Sequence, residues 1–242
     1  MAASRQRRTV HRLPPEKRTA DIMNAARSVL ADRGIAEAFV SEVAERAGIV
    51  EGSIYRYFSN KRELVEKVVE SWYEEMLADY FAHFEGVRGA RNQLRFIIHH
   101  HLISIKKEPA LSRIVFQDIR PGPDYRSTRV FALNQTYTQR VVDVVKAAVQ
   151  TGEFRKDVSP NLVRDMIFGG IEHRVWAFLR NEGDFDANRT AEAIVDFVCR
   201  ALNVSVDEPD DKLSGALSRI DAAADRLEAL LPKAPASRRA KR

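Results

Sequence analysis

Apolar positions recur every three or four residues along most of the chain, and no stretch alternates with period two between turn residues, so the pattern predicts an all-α protein. Pro14-Pro15-Glu16 offers a rigid entry and an acidic first turn. Ile22, Ala26, Val29 and Leu30 then form a stripe, and Gly34 is placed to end a helix over 15–33. A short helix follows over 41–47, with Val43, Ala44 and Ala47 inward. Gly48 supplies a tight turn, and a third helix is expected to start near Gly52. Asn60 with Glu63 three residues on spells a capping box, with Ser59 as the competing cap. Leu64, Val68 and Trp72 then repeat every four residues through a long helix.

Further helical segments are expected around 90–107, 109–119, 126–151, 159–181 and 187–203. The breaks fall at Gly86 and Gly89, Pro109, Pro121-Gly122-Pro123, Gly152 and Asn181-Glu182-Gly183, a spacing that suits a compact helical bundle. Ser205 to Asp211 reads as an acidic linker. Beyond it, Leu213, Leu217, Ile220, Ala224, Leu227 and Leu231 alternate steps of four and three, the stripe of an amphipathic helix that either docks on its own body or binds a partner. The expected organisation is an arm over 1–14, a three-helix domain over 15–62, a larger helical domain over 63–204, and a linker, helix and basic tail over 205–242.

Composition narrows the class. The chain has 242 residues, 45% of them hydrophobic and 30% charged, which is ordinary for a packed soluble protein. No apolar run approaches the roughly 18 residues that span a bilayer, and residues 1–12 are basic without the pattern of a secretory signal, so a cytoplasmic protein is expected. Cys199 is the single cysteine, which removes intrachain disulfides and cysteine zinc clusters. The net charge of +5 is unevenly placed: Arg5, Arg7, Arg8, Arg12, Lys17 and Arg18 face only Glu16 in the first 20 residues. Such an arm either sits on phosphates or is a solubilising tail.

The stretch from Phe39 to Phe58, FVSEVAERAGIVEGSIYRYF, followed by SNKREL, carries the function. Val43, Ala44, Ala47, Ile54 and Phe58 are placed to pack two helices at a steep angle, with small alanines allowing close approach and Gly48 turning the corner. Val50, Glu51, Gly52, Ser53 and Arg56 are left on the outer side, where a recognition helix presents side chains to base edges in the major groove. Arg56 suits bidentate bonding to guanine, or else a phosphate contact. The run from Ala47 to Phe58 and Asn60-Lys61-Arg62-Glu63-Leu64 resembles the signature of the TetR family over residues 15–65. The resemblance implies a homodimeric regulator reading a palindromic operator in double-stranded DNA. Tyr55 and Tyr57 would then reach the groove edge, and Lys61 would hold a phosphate. Ser41, expected at the start of the second helix, would cap it or give its hydroxyl and amide to a phosphate. Phe39 departs from the family pattern, which has a capping threonine there. Glu51 is an acidic side chain facing a polyanion.

The last pair of helices is the expected dimer surface. Met166, Ile167, Gly169, Gly170, His173, Val175, Trp176 and Leu179, with Ile194, Val195 and Val198, supply more apolar and small surface than one pair can bury, unless intrachain packing absorbs it. IVFQDIR over 114–120 and RDMIFGGIEHRVWAFL over 164–179 resemble the branch of the family that controls fatty-acid degradation and senses acyl-CoA. That resemblance implies an apolar tunnel with basic groups at its mouth, and Phe96, His100, Ile103, Phe116, Arg120, Tyr137 and Trp176 are its candidate lining. His99-His100-His101 is an unpromising metal site, since adjacent helical residues point about 100° apart. No phosphate loop, nucleophile elbow or metal-binding pair suggests an enzyme, and no cofactor is implied. Two functions remain: a repressor released by a small apolar ligand, or a DNA-binding protein of the same fold that acts through protein partners.

Overall fold

The computed structural model describes residues 14–35 and 39–203, and its contacts gather the chain up to Leu202 into one unit. Nearly all of the expected basic arm, the acidic linker and the C-terminal amphipathic helix lie outside the described residues. Among the described residues the regular elements are helical.

Helix α1 (Pro15–Arg33) starts with a proline in its first turn and stops at Gly34, whose φ of +67° a side chain would resist and whose N–H donates to Leu30 O. It buries Ile22, Ala25, Ala26, Val29 and Leu30 against α2 (Phe39–Arg46). Helix α2 begins two residues earlier than the pattern suggests, with Phe39 fully buried. Ser41 is therefore the third residue of the first turn, not the cap.

The expected third helix is a 3-10 turn, Glu51–Arg56, entered from extended Val50 and closed by Ser53 N to Val50 O and Tyr57 N to Ile54 O, both 2.9 Å. Gly52, β-branched Ile54 and Tyr55 form α-helix poorly, and Ile54 and Phe58 are the buried anchors of the segment. Helix α3 (Lys61–Phe84) takes Asn60, not Ser59, as its cap: Asn60 Oδ1 accepts from Glu63 N at 2.9 Å, and the Glu63 carboxylate reaches back to accept from Ser59 N at 2.5 Å, closing the box. The bond from Ser59 holds the Glu63 carboxyl below its ordinary range.

Helix α4 (Ala90–Lys107) is followed by α5 (Pro109–Ile114), which runs on as a π-helical turn over Val115–Ile119 and closes with Arg120 N to Val115 O at 2.9 Å. One uninterrupted segment was expected over 109–119; its length holds and its winding changes. Helix α6 (Arg129–Thr151) is capped by Thr128 and ended by Gly152 at φ +79°, and α7 (Pro160–Leu179) is capped by Ser159. The turn after α7 carries Asn181 at φ +59°, and α8 (Ala187–Leu202) completes the set. Helix α7 packs chiefly on α6, while α8 packs on α4, where Arg91 pairs with Glu192 and, at 2.7 Å, with Asp196, and Arg95 pairs with Glu192 at 2.7 Å. Helices α7 and α8 touch each other only slightly.

Candidate nucleic-acid interface

Ile54 and Phe58 sit i to i+4 on the inner side of the 3-10 turn and are buried, which forces the rest of that turn outward. Val50 is 74% exposed, an unusual place for a branched apolar side chain. Glu51, Gly52, Tyr55 and Arg56 are exposed, and Ser53 and Tyr57 are half-buried. Arg56 makes no ion pair or hydrogen bond among the described residues, so its five donors are available. By contrast, Arg33 is paired with Glu42 at 2.9 Å and Arg46 with Asp32 at 2.7 Å, both within the scaffold. Lys61 Nζ lies 5.6 Å from the centroid of the Phe39 ring. That contact brings the start of α3 to the start of α2, so Lys61 and Ser41 belong to one corner. Phe39 is thus a core plug beneath a cation, a role with no use for a capping hydroxyl.

The candidate lining residues divide into two groups. Phe96, His100 and Tyr137 meet in one aromatic cluster with Tyr80, Phe84, His101 and Phe168, at centroid separations from 4.9 Å for Tyr80–Phe84 to 6.2 Å for His100–Tyr137. His100 Nε2 is 2.9 Å from Asp79 Oδ2, and its Nδ1 is 3.2 Å from the Tyr137 hydroxyl. Burial pushes the His100 pKa down, against the pull of Asp79, so the ring is neutral at neutral pH. A carboxylate only accepts, so Nε2–H donates to Asp79 and Nδ1 accepts from Tyr137. Two polar atoms of the cluster, the Tyr80 hydroxyl and His101 Nδ1, are buried without a partner among the described residues. Where a tunnel was expected, these rings lie in mutual contact.

Phe116, Arg120 and Trp176 form the second group: the two rings are 5.9 Å apart, and Arg120 stacks over Phe116 at 5.5 Å. Arg120 also pairs with Glu172 at 2.6 Å, so its charge is partly committed. Ile103 joins neither group and lines, with His100, a small cavity of about 180 Å³ beside α1. Sequence reasoning missed Tyr80, Phe84, His101 and Phe168. The first two continue the Leu64, Val68 and Trp72 stripe of α3 by further four-residue steps through Met76, a signal that was present.

On α7, Leu162 is 59% and Met166 62% exposed, and Gly169, Gly170 and His173 continue the same outer stripe. A Cβ added at either glycine would meet nothing within 4 Å. Across a groove of about 750 Å³, α8 presents Phe197, 71% exposed, and half-buried Ile194, while Val198, expected on the same surface, lines the groove but is buried within the protomer. Ile167, Val175, Leu179 and Val195, expected to add to this surface, point into the protomer's own core, because each helix places successive apolar residues on two faces. Leu162 and Phe197 take their place.

Residues 22–68 match the model for bacterial regulatory proteins of the tetR family, and residues 88–202 match that for the tetracyclin repressor-like C-terminal domain. The chain is 23% identical over 186 residues to the fatty acid metabolism regulator protein of Bacillus subtilis, covering 75% of this chain and 94% of that protein. It is 25% identical over 172 residues to the transcriptional repressor KstR2 of Mycolicibacterium smegmatis, covering 69% and 80%. Among solved structures, the transcriptional regulator FadR from Bacillus subtilis in complex with stearoyl-CoA is similar, with a TM-score of 0.66 at 22% identity over 74% of this chain and 97% of that one. Matched in order at both ends of the described fold, the chain belongs to the TetR family of DNA-binding transcriptional regulators.

Proposed function

We propose that this regulator is a repressor that grips a two-fold operator as a homodimer and is released when a small apolar effector, an acyl-CoA thioester, enters the larger domain. The observation that carries the DNA-reading half is the 3-10 turn, where buried Ile54 and Phe58 hold Val50, Tyr55 and unpaired Arg56 outward. In this reading residues 15–62 are the reader and 63–204 the sensor and dimerisation domain. Val50, Glu51, Gly52, Ser53 and Arg56 face bases, while Ser41, Tyr55, Tyr57 and Lys61 hold the backbone. Met166, Gly169, Gly170, His173, Ile194 and Val198, with Leu162 and Phe197, form the seam between protomers, which sets two readers about 34–36 Å apart or a multiple of that.

The effector half is supported by the aromatic cluster of Phe96, His100 and Tyr137, whose neighbours Tyr80 and His101 hold buried polar atoms that want a partner. It is supported also by the relative whose structure contains stearoyl-CoA. Phe116, Arg120 and Trp176 would flank the entry. Mutual contact of the rings favours a second reading, a DNA-binding protein that needs no small ligand.

Selecting bound DNA from a random pool, then adding a panel of acyl-CoAs, separates the two. Release at saturation by a long-chain acyl-CoA supports the effector reading. Binding of the ligand without any change in operator affinity would sink it. In the same assay Arg56→Ala should weaken the selected operator by about 1–3 kcal/mol and relax the preference at one base position. Uniform loss across all sequences would instead make Arg56 a phosphate contact.

A further inference from the structure

Arg27 lies on α1, one turn before Leu30, and all three of its guanidinium nitrogens are engaged by two carboxylates. Nη1 donates to Glu75 Oε1 and Oε2 at 2.9 and 2.8 Å, while Nε and Nη2 donate to Glu108 Oε1 at 3.0 and 2.6 Å. Glu75 belongs to α3. Glu108 is the single residue between α4 and α5, and its backbone is pinned: its N–H donates to Ser104 O, and its carbonyl accepts from Ser112 N and Oγ. The guanidinium is partly buried, and although burial opposes its charge, the bonds to Glu75 and Glu108 prevail and raise its pKa. Among the ion pairs of the described residues, those of Arg27 alone tie α1 to the chain beyond residue 68. Arg27 sits within the match to the first family model and Glu108 within the match to the second.

The small cavity beside α1 is lined by Arg27, Glu75 and Glu108 together with Trp72, Asp79 and His100. His100 is the residue that reaches Tyr137 in the aromatic cluster. Space next to a chelated arginine leaves room for α3 and α4 to shift while α1 does not. A shift of either helix away from α1 would lengthen bonds that are now 2.6–3.0 Å.

We propose that Arg27 is a positioning residue for DNA reading: by bridging Glu75 and Glu108 it locks α1, and through α2 the 3-10 turn packed on α2, in the pose that the operator requires. It touches no base and no phosphate. A carboxylate pair matters here because a planar fork can bind two acids at once, whereas lysine offers one compact charge.

The test uses the full chain and its selected operator. Arg27→Met keeps the aliphatic stem and should weaken operator binding at least tenfold. Glu108→Gln, nearly isosteric and remote from DNA, should weaken it about threefold. The double variant should bind no worse than Arg27→Met, because both changes open one link. The slope of log Kd against log salt should stay that of the wild type in all three, since no phosphate contact is lost. Three results would overturn the proposal. The first is wild-type affinity in Arg27→Met, or in Glu108→Gln should the arginine variant fail to fold by circular dichroism. The second is additive losses in the double variant. The third is a salt slope reduced by about one in Arg27→Met, the mark of a direct phosphate contact.

Discussion

Tyr80 carries a buried polar atom that costs stability, and in the effector reading that atom is held ready for a ligand. Its ring is fully buried among Phe84, Phe96, His100 and Tyr137, yet its hydroxyl has no partner among the described residues. Burial drives its pKa well above the ordinary phenol range, so the group stays protonated and can donate. Removing an unsatisfied buried hydroxyl without leaving a hole relieves a desolvation cost. Tyr80→Phe should therefore stabilise the ligand-free protein by about 1 kcal/mol, seen as a thermal midpoint some 2–4 °C higher. The same variant should bind an effector roughly three- to tenfold more weakly by titration calorimetry. A lower midpoint with unchanged effector affinity would make the hydroxyl structural. Phe39 illustrates the converse: from the sequence it was a missing cap, and in the fold it is a core residue under Lys61.

Individual elements were legible where a local rule decides them. The Asn60–Glu63 box, Pro15 and Gly34 at the ends of α1, and the break at Gly152 depend on neighbouring residues alone, and the helices start and stop there. The 3-10 turn was not legible. Six residues give too short a window for a period of 3.0 to be told from 3.6, and what fixes the winding is how Ile54 and Phe58 must reach α2. The π-helical turn at Val115–Ile119 escaped for a similar reason, as one extra residue per turn leaves no mark in composition.

Helices α7 and α8 belong to this scale too. Each satisfies its inner face within the protomer and leaves an outer apolar stripe across an open groove, the surface that the proposed dimer would cover with a second copy. Phe197→Glu places a charge at the most exposed of these apolar positions and should shift the protein to monomer in sedimentation analysis, with helical content by circular dichroism retained. An unchanged dimer mass would move the interface elsewhere.

For the molecule as a whole, the histidines of α4 make acid the weak side. Burial pushes His101 down to about 3 and also lowers His99 and His100, whereas the unfolded chain titrates these rings near 6.5. Between those values the unfolded state binds more protons than the folded one. Stability is therefore fully present above about pH 6.5 and is lost as pH falls below it, by up to about 1.4 kcal/mol per pH unit for each ring. The loss of Asp79 as a partner for His100 begins only at lower pH, because that bond holds the carboxyl below its usual range. Denaturant unfolding between pH 6.5 and 5 should show this slope, and His101→Phe, which keeps an aromatic ring against Phe168 and Tyr137, should flatten it by close to one proton. An unchanged slope would place His101 in contact with solvent.

By itself the sequence determined the all-α class, the order and near-exact spans of most helices, and the split of the reader motif into buried scaffold and exposed face. Each of these follows from periodicity, caps and turn residues, which act over a few neighbours. The tertiary structure alone decided which aromatic residues meet, which apolar residues of α7 and α8 turn inward, and that Arg27 finds acids 48 and 81 residues away. Those pairings are set by where whole helices cross, and a helical period fixes a residue's face without saying what that face will touch.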